Sequence, residues 1–318
     1  MIKDDFTQVL LGQIVSDVNM HNVYLQHGQS GYCAFYFWLS QKAKDENYET
    51  LAEKMLLRVT NSIKQLPTVD IENGITGIGL FVMWLNKKGF LTGKGQSFFE
   101  TIEAYLYKTE RLELETIEEP YKQFLKLWSI KIIAYIHQRV NTILADEPLL
   151  ADAHYDLVTF LYVLFKLHKL GVYTYYLERI INEIRMGIIT RIPYLQQNRA
   201  YLYYTLCLVS KEFSLGNEWE TYMQWLKRSF SINAIIVSEI KDNQLFGQLG
   251  LIRLYFALKY YIKNGIEIEI PYDLILKKIK SSSYYKNKTK VAEVPKGLDG
   301  ILGLYLLYIN IVEYGTKD

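Results

Sequence analysis

Gly297-Leu298-Asp299-Gly300, followed at once by Ile301-Leu302-Gly303-Leu304-Tyr305-Leu306-Leu307-Tyr308-Ile309, decides how this chain is read. Two glycines three apart open a run that is apolar on every side. A helix of that composition has no polar stripe to turn toward water, so it must be buried all round. The same opening stands at Gly28-Gln29-Ser30-Gly31, at Gly74-Ile75-Thr76-Gly77 and at Gly247-Gln248-Leu249-Gly250. The two copies at each end of the chain lie about fifty residues apart, a spacing that suits a two-helix repeat. The central gap leaves room for three more repeats. Three further apolar runs fill it without the glycine opening: Tyr121 to His137, His154 to Leu170 and Arg199 to Phe213.

Between the apolar runs stand charged segments with apolar residues three and four apart, as in a one-sided helix. They are Tyr48 to Lys64, Tyr175 to Thr190 and Glu218 to Phe230, with Tyr272 to Ser282 after Pro271. Pro67, Pro120, Pro148, Pro193 and Pro295 each precede an apolar run, in the breaks between segments where proline is tolerated. The pattern predicts an all-α chain: an α/α toroid of seven helical hairpins, with buried helices inside and amphipathic ones outside. The whole of residues 1–318 is expected to form that single domain. Gly28, Gly31, Gly74, Gly77, Gly247, Gly250, Gly297 and Gly300 then mark sharp turns that feed the inner helices. A dinucleotide-binding loop would need a strand before the glycines. Ile266-Glu267-Ile268-Glu269-Ile270 alternates like a strand, but it is short and isolated.

Composition agrees with a large helical core. Half of the 318 residues are hydrophobic, which argues against disorder. The formal net charge is +2, with lysines and arginines scattered among matching acids, so neither nucleic acid nor an anionic membrane is an expected partner. Cys33 and Cys207 are too few for a disulfide framework and have no metal-ligand spacing. No apolar run reaches the length of a membrane span. The first residues do not read as a secretory signal, and a reducing cytoplasmic location is expected.

The phrases Asn73-Gly74-Ile75-Thr76-Gly77-Ile78-Gly79, Lys87-Lys88-Gly89-Phe90-Leu91 and Lys296-Gly297-Leu298-Asp299-Gly300-Ile301-Leu302-Gly303 resemble the repeat signature of lanthionine synthetase C-like proteins. The divergent branch in Bacteroidetes peptide-modification clusters is the nearest in pattern. The resemblance is strong in hairpins one, two and seven and weakest in three to five. It implies the same seven-hairpin α/α toroid. It also implies descent from cyclases in which zinc, held by two Cys and one His, activates a substrate cysteine thiol. That thiolate adds to dehydroalanine or dehydrobutyrine to form a thioether.

The chain departs from the family at the metal. The resemblance places a Cys-His-Gly motif on the sixth inner helix, where this sequence reads Leu245-Phe246-Gly247. The fifth start, Gln197-Asn198-Arg199-Ala200-Tyr201, has no Cys. No metal or other cofactor is therefore expected. An Ala-His-Gly motif on the fourth inner helix survives only as Ala153-His154, with Tyr155 in place of Gly. His154 is the one catalytic candidate the resemblance offers, against a structural role for the same histidine. The expected function is that of a pseudoenzyme in peptide modification, which binds a precursor peptide or a partner maturation enzyme. The alternative is an active toroid with another site, either a glycoside-processing enzyme or a metal-free cyclase using Cys33 or His154.

Other residues have plainer readings. Cys33 and Cys207 fall inside apolar runs and read as small buried hydrophobes. His21 and His27 flank the first glycine turn, but their spacing does not put them on one helical face. Asp70, Glu72, Glu293 and Asp299 lie near inner-helix starts, where carboxylates favour the helix dipole. They also raise the possibility of an acid-lined funnel, as in sugar-cleaving toroids.

Overall fold

A computed structural model describes residues 4–17, 22–62, 74–91, 151–169, 171, 174–237, 245–247 and 249–315. Among the described residues every regular element is helical. They are α1 (Asp5–Ser16), α2 (Gln29–Ala43), α3 (Glu46–Ser62), α4 (Ile75–Lys87), α5 (Ala151–Lys169), α6 (Thr174–Ile189) and α7 (Gln196–Val209). There follow α8 (Asn217–Arg228), the short α9 (Ile232–Val237), α10 (Leu251–Lys263), α11 (Tyr272–Ser281), α12 (Ser283–Lys286), a 3-10 turn (Lys288–Glu293) and α13 (Ile301–Gly315). Pro67, Pro120, Pro148, the run Tyr121 to His137, His21, Asp70 and Glu72 lie outside the described residues.

The chain divides into two compact units, Met1–Trp128 with Asp242–Ile252 and Leu276–Asp318, and Ser129–Lys241 with Arg253–Ile275. In the first unit α2 pairs with α3 across a tight connection. Its C-terminus is closed by Lys44 in the left-handed region (φ 55°). Tyr32, Cys33, Phe35, Tyr36, Phe37 and Leu39 of α2 are all buried, which leaves only Ala34 and Trp38 partly exposed before the helix's last turn. Its partner α3 buries only Ala52, Met55 and Val59, a one-sided ridge spaced by three and four. Met55 and Val59 each gain about 1.5–3 kcal/mol from leaving water. The last helix, α13, is buried along most of its length, from Ile301 to Ile311.

The first and last of the described helices meet in this unit. Helix α1 packs against α13. Asp4 caps α1 by accepting from the Thr7 amide at 2.7 Å, and its other oxygen accepts from the Tyr308 hydroxyl at 2.7 Å. Phe6 packs edge-on against Tyr308, with ring centres 5.1 Å apart. Phe35 of α2 meets Tyr305 of α13 the same way at 5.3 Å, and Lys42 pairs with Glu313 at 2.8 Å.

The second unit is organised on α7, which packs against α5, α8 and α9. Ala200, Tyr201, Leu202, Tyr204, Leu206, Leu208 and Val209 are buried, so α7 resembles α2 in having little polar face. By contrast α8 buries Trp219, Tyr222 and Leu226 on one side. Helix α6 follows the same rule with Leu177, Ile180, Ile181, Ile184 and Ile188. Residues 266–270 run extended and alternate in exposure, but they pair with no other strand among the described residues. No described helix is long and apolar enough to cross a membrane.

Candidate functional site

The glycine motifs take one backbone form wherever the bond is described. The fourth residue donates its amide to the carbonyl of the first: Gly31 to Gly28 at 3.1 Å, Gly250 to Gly247 at 3.0 Å, and Gly300 to Gly297 at 3.1 Å. Each motif is a four-residue turn, yet the helix starts differently after each. In the first two copies the leading glycine, Gly28 or Gly74, is the residue that caps the helix, and Gly31 or Gly77 lies within it. In the last two the helix starts only after Gly250 or Gly300, and the leading glycine has positive φ, 79° at Gly247 and 90° at Gly297. The same spacing thus builds two geometries, which no local pattern distinguishes.

The first and last turns are joined. The Leu298 amide donates to the Gln26 carbonyl at 2.7 Å, and His27 Nδ1 lies 3.3 Å from the Lys296 carbonyl. The Gln26 side-chain amide donates to Asp299 Oδ2. Gly297 sits where a side chain would strike backbone: a Cβ there would meet the Gln26 carbonyl oxygen and lie 2.7 Å from His27 Cα. Beside the joint, Lys296 pairs with Asp17 at 2.9 Å. Tyr32 donates to the other Asp17 oxygen at 3.4 Å. Burial, and then the Asp17 charge, push the Tyr32 phenol above its ordinary range, which keeps it a neutral donor. Gln26 and Asp17 were not among the residues singled out from sequence, and Lys296 was named only as part of a repeat phrase. Their roles depend on partners more than two hundred residues away or across a loop, and no spacing rule signals that.

The position implied for zinc ligands is apolar. Leu245 and Phe246 are 3% and 9% exposed, and Phe246 packs edge-on against Tyr284 with ring centres 5.4 Å apart. Neither side chain has a lone pair to offer a metal. At the start of α7, Gln197 and Asn198 are buried, and Gln197 Nε2 donates to the Tyr201 hydroxyl at 2.8 Å. Arg199 holds the preceding loop through the carbonyls of Pro193 and Tyr194 and the end of α8 through that of Ser229. Cys207 lies on the same helix about 15 Å further along its axis, at 1.5 Å per residue. These residues do not fit a zinc site. Among the described residues no three His, Cys, Asp or Glu side chains converge to hold a metal.

No protein-family model matches this sequence, and no curated protein is significantly similar to it.

The other candidates are dispersed. His154 lies in the first turn of α5, and its side chain is outside what the structure describes. Cys33 is fully buried and donates to the Ala52 carbonyl at 3.1 Å; burial pushes its thiol far up, so it is no nucleophile at neutral pH. Cys207 is half-buried. Burial raises its thiol too, against the opposing pull of a Tyr203 hydrogen bond and of Lys227 and Lys211. His27 and Glu293 are exposed. Of the two described acids near inner-helix starts, Glu293 and Asp299, it is Asp299 that enters the joint.

Proposed function

We propose that this chain is a lanthionine synthetase C-like α/α toroid of a peptide-modification system, without zinc-dependent cyclase chemistry, that works by binding a precursor peptide or a partner maturation enzyme. The joint between the Gly28 and Gly297 turns carries the reading. In an open array of repeats each repeat touches only its neighbours, so the first and last stay apart. In a closed ring they are neighbours. The Leu298 to Gln26 hydrogen bond, the Phe35–Tyr305 contact and the α1–α13 packing all tie the first repeat to the last. The alternation of all-round buried helices (α2, α7, α13) with one-sided ones (α3, α6, α8) supports the two-layer arrangement.

Loss of the cyclase step follows from ligand chemistry. Thiolates and a neutral imidazole hold zinc in such sites, and the implied positions carry Leu245 and Phe246. Without the metal, a substrate cysteine of ordinary pKa near 8.5 is only a few per cent thiolate at neutral pH. The test uses protein purified without chelator and a peptide containing one cysteine and one dehydroalanine. Elemental analysis should find no stoichiometric zinc, and the peptide thiol should stay open to alkylation after incubation. One zinc per chain together with loss of the free thiol, abolished in Cys33→Ser or Cys207→Ser, would refute the reading.

A further inference from the structure

The segment between Asp273 and Glu293 carries charge of one sign. Lys277, Lys278, Lys280, Lys286, Lys288 and Lys290 stand in it with no Asp or Glu. Against the expectation of cations scattered among matching acids, they are gathered here, although the chain as a whole is near balance at +2. Structural duties account for only part of the set. Lys278 and Lys280 lie in the last turn of α11, where the helix dipole favours cations. Lys288 pairs with the exposed carboxylate of Asp5. Lys277, Lys280, Lys286 and Lys290 are exposed, and none has a carboxylate partner among the described residues. The backbone that presents them is anchored. Ile279, Tyr284 and Val291 are buried beneath, Ser282 caps α12 through the Tyr285 amide, and Asn287 caps the following turn.

We propose that this lysine face binds an acidic segment of a polypeptide. Two observations select that partner among anions. No arginine follows Arg253, so the segment itself supplies no bidentate forks of the kind that grip phosphates. None of the exposed large apolar side chains among the described residues lies between Tyr272 and Lys296, so the segment itself supplies nothing to insert into lipid. Lysine point charges on a fixed backbone suit separate carboxylates spaced along an extended chain. The inference rests on the reading of this protein as one that holds peptides, and it specifies which peptides.

The test measures binding of a fluorescein-labelled oligoglutamate peptide by anisotropy at low salt. The variants are a quadruple change, Lys277→Gln, Lys280→Gln, Lys286→Gln and Lys290→Gln, and a control of equal charge loss, Lys54→Gln, Lys88→Gln, Lys227→Gln and Lys263→Gln. Wild type and control should bind alike, and the quadruple variant at least tenfold more weakly. Binding by wild type should weaken as salt shortens the screening length. Circular dichroism and melting should match wild type in both variants, since all the changed residues are exposed. Equal weakening in the two variants would reduce the effect to net charge and overturn the inference. So would stronger retention of wild type by phosphatidylserine vesicles or duplex DNA than by the peptide. Peptide binding undiminished in the quadruple variant overturns this inference alone. Wild type that binds neither oligoglutamate nor a dehydroalanine-containing precursor-like peptide overturns the functional reading as well.

Discussion

Replacing Gly297 by alanine tests the joint at its tightest point. The residue has φ of 90°, where an L side chain is strained, at a cost of about 1–2 kcal/mol. The new Cβ would overlap the Gln26 carbonyl oxygen and press on His27 Cα at 2.7 Å, and both are backbone. Neither can swing aside as a flexible side chain would, so the two loops must part. Parting them lengthens the 2.7 Å bond from the Leu298 amide to Gln26, which is worth about 1 kcal/mol. The total loss expected is about 2–4 kcal/mol. Gly89 supplies the control: its φ is 75°, yet nothing lies within 4 Å of the methyl group that alanine would add. Gly89→Ala should therefore cost only the backbone strain, about 1 kcal/mol. Urea unfolding followed by circular dichroism at 222 nm, with the slope compared across variants, measures both. If Gly297→Ala loses no more than Gly89→Ala, the two turns are not tightly joined at Gly297.

Three further outcomes are expected. Gly12 lies on the exposed side of α1 with open space around it, so Gly12→Ala should raise stability by about 0.5–1 kcal/mol, as the midpoint of the same unfolding curve will tell. Asp4→Ala should cost about 1 kcal/mol near neutrality through loss of the α1 cap. Partial burial of Asp4 opposes its ionisation, but hydrogen bonds from Thr7, Tyr308 and the Phe6 amide outweigh it and hold the carboxyl below its usual range. A depressed carboxyl stabilises above its unfolded pKa and loses that contribution as pH falls through the folded one. The wild-type advantage should therefore shrink below about pH 4, and a gap that is constant down to pH 2 would contradict the assignment. Finally, native protein at pH 8 should leave Cys33 unmodified by a maleimide while Cys207 reacts slowly, and unfolding should expose both. Rapid native labelling of Cys33, read by mass spectrometry, would contradict its burial.

Much of the helical pattern was legible along the chain. The boundaries of α2, α3, α6, α8, α11 and α13 follow from apolar spacing, from glycine openings and from Pro193, Pro271 and Pro295, all local signals that need no partner. Helix α1, which was not predicted from sequence, carries a local signal in Asp4 as a cap and in Phe6, Leu10 and Ile14 four apart, all three of which are buried. That signal is short and lies before the first glycine turn, so a search for repeats passes over it. The alternation at 266–270 was equally visible, but alternation fixes only which side chains face inward. A strand also needs a partner edge.

What the sequence determined by itself is therefore the helices α2, α3, α6, α8, α11 and α13, the burial of α2 and α13 along most of their length, and the absence of thiol or imidazole at Leu245 and Phe246. Those properties reside in single residues and in the 3.6-residue period. Only the tertiary structure decided that Gly28-x-x-Gly31 and Gly247-x-x-Gly250 enter their helices differently, and at Gly297 the backbone of Gln26 and His27 crowds the turn that its positive φ makes. Tertiary structure alone brought Gln26 to Leu298 and Asp299, and Asp17 to Lys296. Such contacts are made by groups distant in sequence, whose meeting depends on how the intervening helices pack, and a polar side chain carries no local mark of the partner it will find.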